Sequence, residues 1–148
     1  MRRVVVTGIG IVSSIGNNTK EVYNSLIHGK SGITKNEDMA SYGFRSQIAG
    51  NIKLDVSEHV DKRSLRFMGP GAAYAHIAME QAINDSGLTE HEVSNIRTGL
   101  VAGSGGPSTS AMLTAHQTVL KNASPKRILS LIHICAADDM QCVDLGGR

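Results

Sequence analysis

The apolar positions switch period early in the chain. Val4-Val5-Val6-Thr7 is a continuous β-branched run, which reads as a strand buried on both faces of an α/β layer. Gly8 and Gly10 follow at once and supply the backbone freedom for a tight exit. Asn18, with Glu21 three residues on, has the pattern of a helix cap. A helix is predicted over Glu21–His28, with Val22, Leu26 and Ile27 facing inward and Gly29 as its terminating glycine. From Ser31 to Asp61 the period weakens. Phe44–Ile48 and Ile52–Leu54 read as short extended segments on either side of Gly50-Asn51, and residues 35–43 as a surface excursion.

Regularity returns after Gly69-Pro70-Gly71. From Ala72 to Ile83, small and apolar residues nearly encircle a predicted helix, so neighbours approach it on more than one side. Pro70 suits its first turn, and Gly87 closes it. Thr89-Glu90-His91-Glu92 is a second capping pattern and opens a single turn. Thr98–Ala102 reads as another buried strand. It leads through Gly103-Ser104-Gly105-Gly106-Pro107 into a helix over Thr109–Lys121. Strand, glycine loop and helix in that order mark where α/β proteins place ligands.

With 148 residues the chain is long enough for one domain with its own core. Tryptophan is absent and aromatics are scarce, so that core must be aliphatic. The net charge of +2 argues against nucleic-acid binding. It is unevenly spread, +4 over residues 1–128 and −2 over 129–148. No secretory signal and no apolar run of membrane-spanning length is evident, which predicts a soluble, cytoplasmic protein with no membrane partner. Two late cysteines, Cys135 and Cys142, form neither a disulfide framework nor a zinc site.

Most candidate chemistry fails in detail. Thr7-Gly8-Ile9-Gly10 lacks the third glycine of a dinucleotide fingerprint, because Ser13 stands there. Gly103-Ser104-Gly105-Gly106 has no following Gly-Lys and is no P-loop, and Ser104 lacks the spacing of a nucleophile elbow. The six histidines show no metal-ligand spacing, so no metal and no cofactor is expected. His76 reads as a packed, hydrogen-bonded core or interface group, and the other histidines as surface residues. Lys62, Arg63 and Arg66 gather on one helical turn, with Arg45, Lys126 and Arg127 as further cations. A solvated surface is the usual meaning of such groups; a dock for an acidic macromolecule is the functional one.

Several ordered blocks carry a family resemblance: VVVTGIGIVSSIGNN (4–18), GKSGIT (29–34), RSQIAGNIKLD (45–55), DKRSLRFM (61–68), AMEQAINDSGL (78–88) and TGLVAGSGG (98–106). Together they resemble the β-ketoacyl-acyl-carrier-protein synthases, condensing enzymes of fatty-acid synthesis. SSIGNN, RSQIAGNIKLD and AGSGG fit the type I branch better than type II. The resemblance implies a thiolase-like α/β/α/β/α fold, a homodimer, and acyl carrier protein as partner. It implies a ping-pong acyl transfer through a cysteine thiolate, with two histidines supporting decarboxylation and condensation. None of those three residues is matched in this chain. Gly106 matches the glycine beside the acyl pocket. Arg45, Lys62, Arg63 and Arg66 match the carrier-docking face, and Lys126 and Arg127 its second cluster. Pro107 stands where a glycine is common in the family. The alternative from the residues alone is a non-catalytic α/β module that binds a phosphate ligand at Gly103–Pro107.

The tail is unlike the rest. Leu129–Arg148 resembles the read-through translation of a transposon-end adapter used in preparing sequencing libraries. That implies a partial N-terminal synthase domain over 1–128 and a non-native segment over 129–148, in which Cys135 is a decoy. The alternative is a third strand, Leu129–Ile134, followed by a loop.

Overall fold

The computed structural model describes residues 3–106 and 108–122. Its elements run α1 (Thr19–Ile27), β1 (Ile33–Lys35), α2 (Glu37–Ser41), β2 (Ile48–Gly50), a 3-10 turn (Val56–Glu58), α3 (Lys62–Leu65), α4 (Pro70–Ser86), α5 (Glu90–Val93) and α6 (Thr109–Asn122). The described chain divides into two compact units. Met1–Asp55 and Ile77–Gly87 form the first; Val56–His76 and Leu88–Arg148 form the second.

Helix ends follow local chemistry. The Asn18 side chain accepts from the Glu21 N–H at 3.0 Å and starts α1. Glu21 reaches back to the Asn17 N–H at 2.8 Å, one residue earlier than a standard capping box requires. At the other end Gly29 sits at φ +60, Gly29 N–H donates to Leu26 O and Lys30 N–H to Ser25 O. That is a Schellman termination, and it needs the left-handed backbone that glycine adopts freely. Asn36 caps α2 through Met39 N–H, so residues 35–43 hold a helix where the sequence suggested an irregular excursion. Pro70 opens α4 as expected.

The strand predictions need correction. Among the described residues the only ladder is β1 with β2, antiparallel, pairing Ile33 with Gly50 and Lys35 with Ile48. Gly50 therefore lies inside a strand rather than between two. Val4–Thr7 and Thr98–Ala102 form no ladder, and Val4 is 94% and Val6 81% exposed. A doubly buried strand needs pairing on its edges and cover on its faces, and the described residues supply neither. Leu26 and Ile27 are exposed for the same want of cover, while Val22 is buried as expected. Among the described residues buried apolar side chains are few: Val22 and Ile77 in the first unit, and Val60, Ala73 and Ala115 in the second.

Candidate functional site

Two stretches carry the residues singled out from sequence. One is the basic turn at α3. The Asp61 carboxylate caps α3, accepting from Arg63 N–H at 2.8 Å, Ser64 N–H at 3.1 Å and the Ser64 hydroxyl. Those donors, the Ser64 hydroxyl first, hold its carboxyl below the ordinary value. Arg66 continues the helical backbone past Leu65. Lys62, Arg63 and Arg66 therefore share one turn, as predicted, and all are exposed. Arg45 is exposed too, in the first unit. Among the described residues the one ion pair is Lys35–Glu37, so none of these four cations is neutralised by a carboxylate there. Lys126 and Arg127 lie outside the described residues.

The other is the glycine loop. Gly106 is exposed, and a side chain placed there would meet nothing within 4 Å; the same holds at Gly103 and Gly105. Ser104 Oγ donates to Gly106 O at 2.9 Å, which closes the loop on itself. No histidine or carboxylate bonds to that hydroxyl among the described residues.

The described histidines at 28, 59, 76, 91 and 116 are all exposed, which overturns a packed-core role for His76. No group of three or more His, Cys, Asp or Glu that could hold a metal ion occurs among the described residues. His133, Cys135 and Cys142 lie outside them. No helix among the described residues is long and apolar enough to cross a membrane.

Sequence reasoning missed one feature. Gly8 and Gly10 do not turn the chain: residues 3–12 contain no turn, and neither glycine has positive φ. They press it against α4 instead. A Cβ on Gly8 would overlap Ala82 O, and one on Gly10 would overlap Ala78 O and reach Ala82 N at 2.8 Å. Beside them Asp85 Oδ2 accepts from Ile9 N–H at 2.9 Å, and Gln81 Oε1 accepts from Ile11 N–H at 3.1 Å. The available signal was two polar residues at i and i+4 on an alanine-rich helix.

The class of protein follows from comparison. Residues 1–146 match the family described as "Beta-ketoacyl synthase, N-terminal domain", and the chain belongs to that family. Its fold is the N-terminal part of a thiolase-like α/β fold. It is similar over its whole length to a β-ketoacyl synthase from Burkholderia phymatum STM815, at 27% identity and TM-score 0.72, covering 38% of that chain.

Among curated relatives it is 54% identical over 119 residues to the 3-oxoacyl-[acyl-carrier-protein] synthase 1 of Haemophilus influenzae, covering 80% of this chain. It is 51% identical over 109 residues, 73% of this chain, to the protein of the same name in Escherichia coli K12. The chain spans 29% and 27% of the length of those two relatives.

Proposed function

We propose that this chain is the N-terminal part of a type I 3-oxoacyl-acyl-carrier-protein synthase. The reaction is a decarboxylative Claisen condensation. An enzyme thiolate takes the acyl group from its carrier thioester and releases the carrier thiol. Malonyl-carrier then loses CO2, and the resulting carbanion attacks the enzyme thioester. The products are a 3-ketoacyl-carrier and the regenerated thiolate. The family's cysteine and histidines have no matches here, so the residues present serve binding and not chemistry.

Lys62, Arg63 and Arg66 dock the acidic acyl carrier protein; the family resemblance gives Arg45, Lys126 and Arg127 the same role and sets Gly106 beside the acyl pocket. The observation that carries this is three exposed cations on one turn with no carboxylate paired to them among the described residues. Their field acts over roughly 8 Å at physiological salt. The intact enzyme works as a cytoplasmic homodimer without a cofactor.

The test uses a full-length synthase carrying this N-terminal part, with Lys62, Arg63 and Arg66 all changed to Glu. Exposed pairs are worth about 0–1 kcal/mol each, and reversal adds repulsion to the loss. The kcat/KM for carrier-bound substrate should fall about 10- to 100-fold, less so in high salt. Activity on a small acyl thioester should be retained. Equal loss on both substrates means damage to the fold, and no loss on either makes the turn ordinary solvated surface.

We also propose that residues 129–148 are non-native. The family match runs across them, so the genomic frame is the direct test. Long reads should show a frame that departs from this sequence after Ile128; a frame encoding Leu129–Arg148 as given refutes it.

A further inference from the structure

We propose that Asp61 is a positioning residue for carrier docking: by capping α3 it holds Lys62, Arg63 and Arg66 together on one outward turn. This rests on the docking role given above to the three cations, and assigns the group that keeps them in place.

The helix α3 is only four residues long. A helix that short does not hold itself in water, because fixing its first turn costs more than one hydrogen bond restores. Asp61 supplies the difference. Its carbonyl accepts from Leu65 N–H at 3.0 Å. Its Oδ1 accepts from both Arg63 N–H at 2.8 Å and Ser64 N–H at 3.1 Å, and its Oδ2 from the Ser64 hydroxyl. Two of the free N–H groups at the helix start are thus satisfied by one side chain.

Burial shows which way the turn faces. Val60, next to the cap, is 4% exposed, and Ser64 and Leu65 are half-buried. Lys62, Arg63 and Arg66 are exposed. As a helix, positions 62 to 66 rise about 6 Å; uncoiled, they spread over as much as about 13 Å. The field of one charge reaches roughly 8 Å at physiological salt, so uncoiling would split one basic patch into separate charges.

Asp61 is itself an anion beside that patch. By charge alone it repels an acidic carrier, and removing it should strengthen docking. By capping it gathers the cations, and removing it should weaken docking. The two effects have opposite signs, and Asp61→Asn separates them. Both amides bond to one oxygen, which an Asn keeps, and the Ser64 hydroxyl can accept from the new Nδ2. The charge goes and the cap stays.

The test is steady-state kinetics on a full-length synthase carrying this N-terminal part. Asp61→Ala should raise KM for carrier-bound substrate about three- to tenfold, with kcat within about twofold and activity on a small acyl thioester kept. Asp61→Asn should keep the parent KM or lower it. Glu92→Ala is the control. It removes the bonds from Thr89 N–H, at 2.8 Å, and the Thr89 hydroxyl, at 2.7 Å, at the start of α5, and should leave KM unchanged.

A parent-like or lower KM in Asp61→Ala overturns the proposal. So does an equal rise in Asp61→Asn or in Glu92→Ala, or an equal loss of kcat/KM on the small thioester. The variant with Lys62, Arg63 and Arg66 all changed to Glu is measured beside them. If it loses nothing, the docking role falls and the positioning role falls with it. If it loses carrier-dependent activity while Asp61→Ala does not, the positioning role alone falls.

Discussion

Gly10→Ala is the sharpest perturbation the fold offers. The added Cβ would overlap the Ala78 carbonyl oxygen and lie 2.7 Å from its carbon and 2.8 Å from Ala82 N. Ordinary carbon contacts need about 3.5 Å or more. These are backbone atoms inside a helix, so they cannot swing away, and the segment must lift by about an ångström. The bonds at Ile9 and Ile11, now 2.9 and 3.1 Å, would then pass the hydrogen-bond limit. Losing both costs about 2 kcal/mol. Overpacking adds about 1–3 kcal/mol. The reduced freedom of the unfolded chain returns about 0.5–1 kcal/mol. The net expectation is a loss of about 2–4 kcal/mol, a large share of the roughly 5–15 kcal/mol that a domain has.

Urea denaturation followed by circular dichroism measures it, with a midpoint lower by about 1–3 M. Gly71→Ala is the control. It lies in the first turn of α4 with nothing within 4 Å of the added carbon, and should stabilise by about 0.5–1 kcal/mol. If Gly10→Ala unfolds within about 0.5 kcal/mol of the parent, the close approach of strand exit and helix is wrong.

Two further outcomes follow from the caps. Asp61 is held below its ordinary value of 3.8 by the Ser64 hydroxyl and then the Ser64 and Arg63 amides. Its contribution to α3 is therefore complete above that value and is lost as pH falls through the lowered one. A carboxyl titration by NMR should show a midpoint under 3.8, and Ser64→Ala should move it back up. Gly29→Ala forces a Cβ into the left-handed region at φ +60 and should cost about 1 kcal/mol by the same urea measurement. Gly71→Ala serves again as the helix control, and an unchanged midpoint would remove the Schellman termination from the account.

What the sequence determined by itself is everything decided within a few residues. Asn18, Gly29, Gly87 and the Thr89–Glu92 pair mark helix ends through contacts three to five positions apart, and Pro70 marks one through its own fixed φ. They read correctly because no distant partner is needed. The ordered blocks of residues 4–106 carried the family in the same way, as local strings. The Lys62–Arg66 turn was equally legible, since its three cations sit within one turn.

What depended on neighbours was not legible. Val4–Thr7 has strand composition, yet a strand exists only when a second strand bonds to it. The role of Gly8 and Gly10 was misread as turning because their real partners, Ala78 and Ala82, lie some seventy residues away. Gln81 and Asp85 gave only the spacing of two polar residues at i and i+4 on an alanine-rich helix, and a solvated pair shows that spacing equally. Only the tertiary structure laid two peptide N–H groups, two residues apart, against two acceptors four residues apart. Local propensity sets where a helix begins and ends, and long-range geometry decides what each face is for.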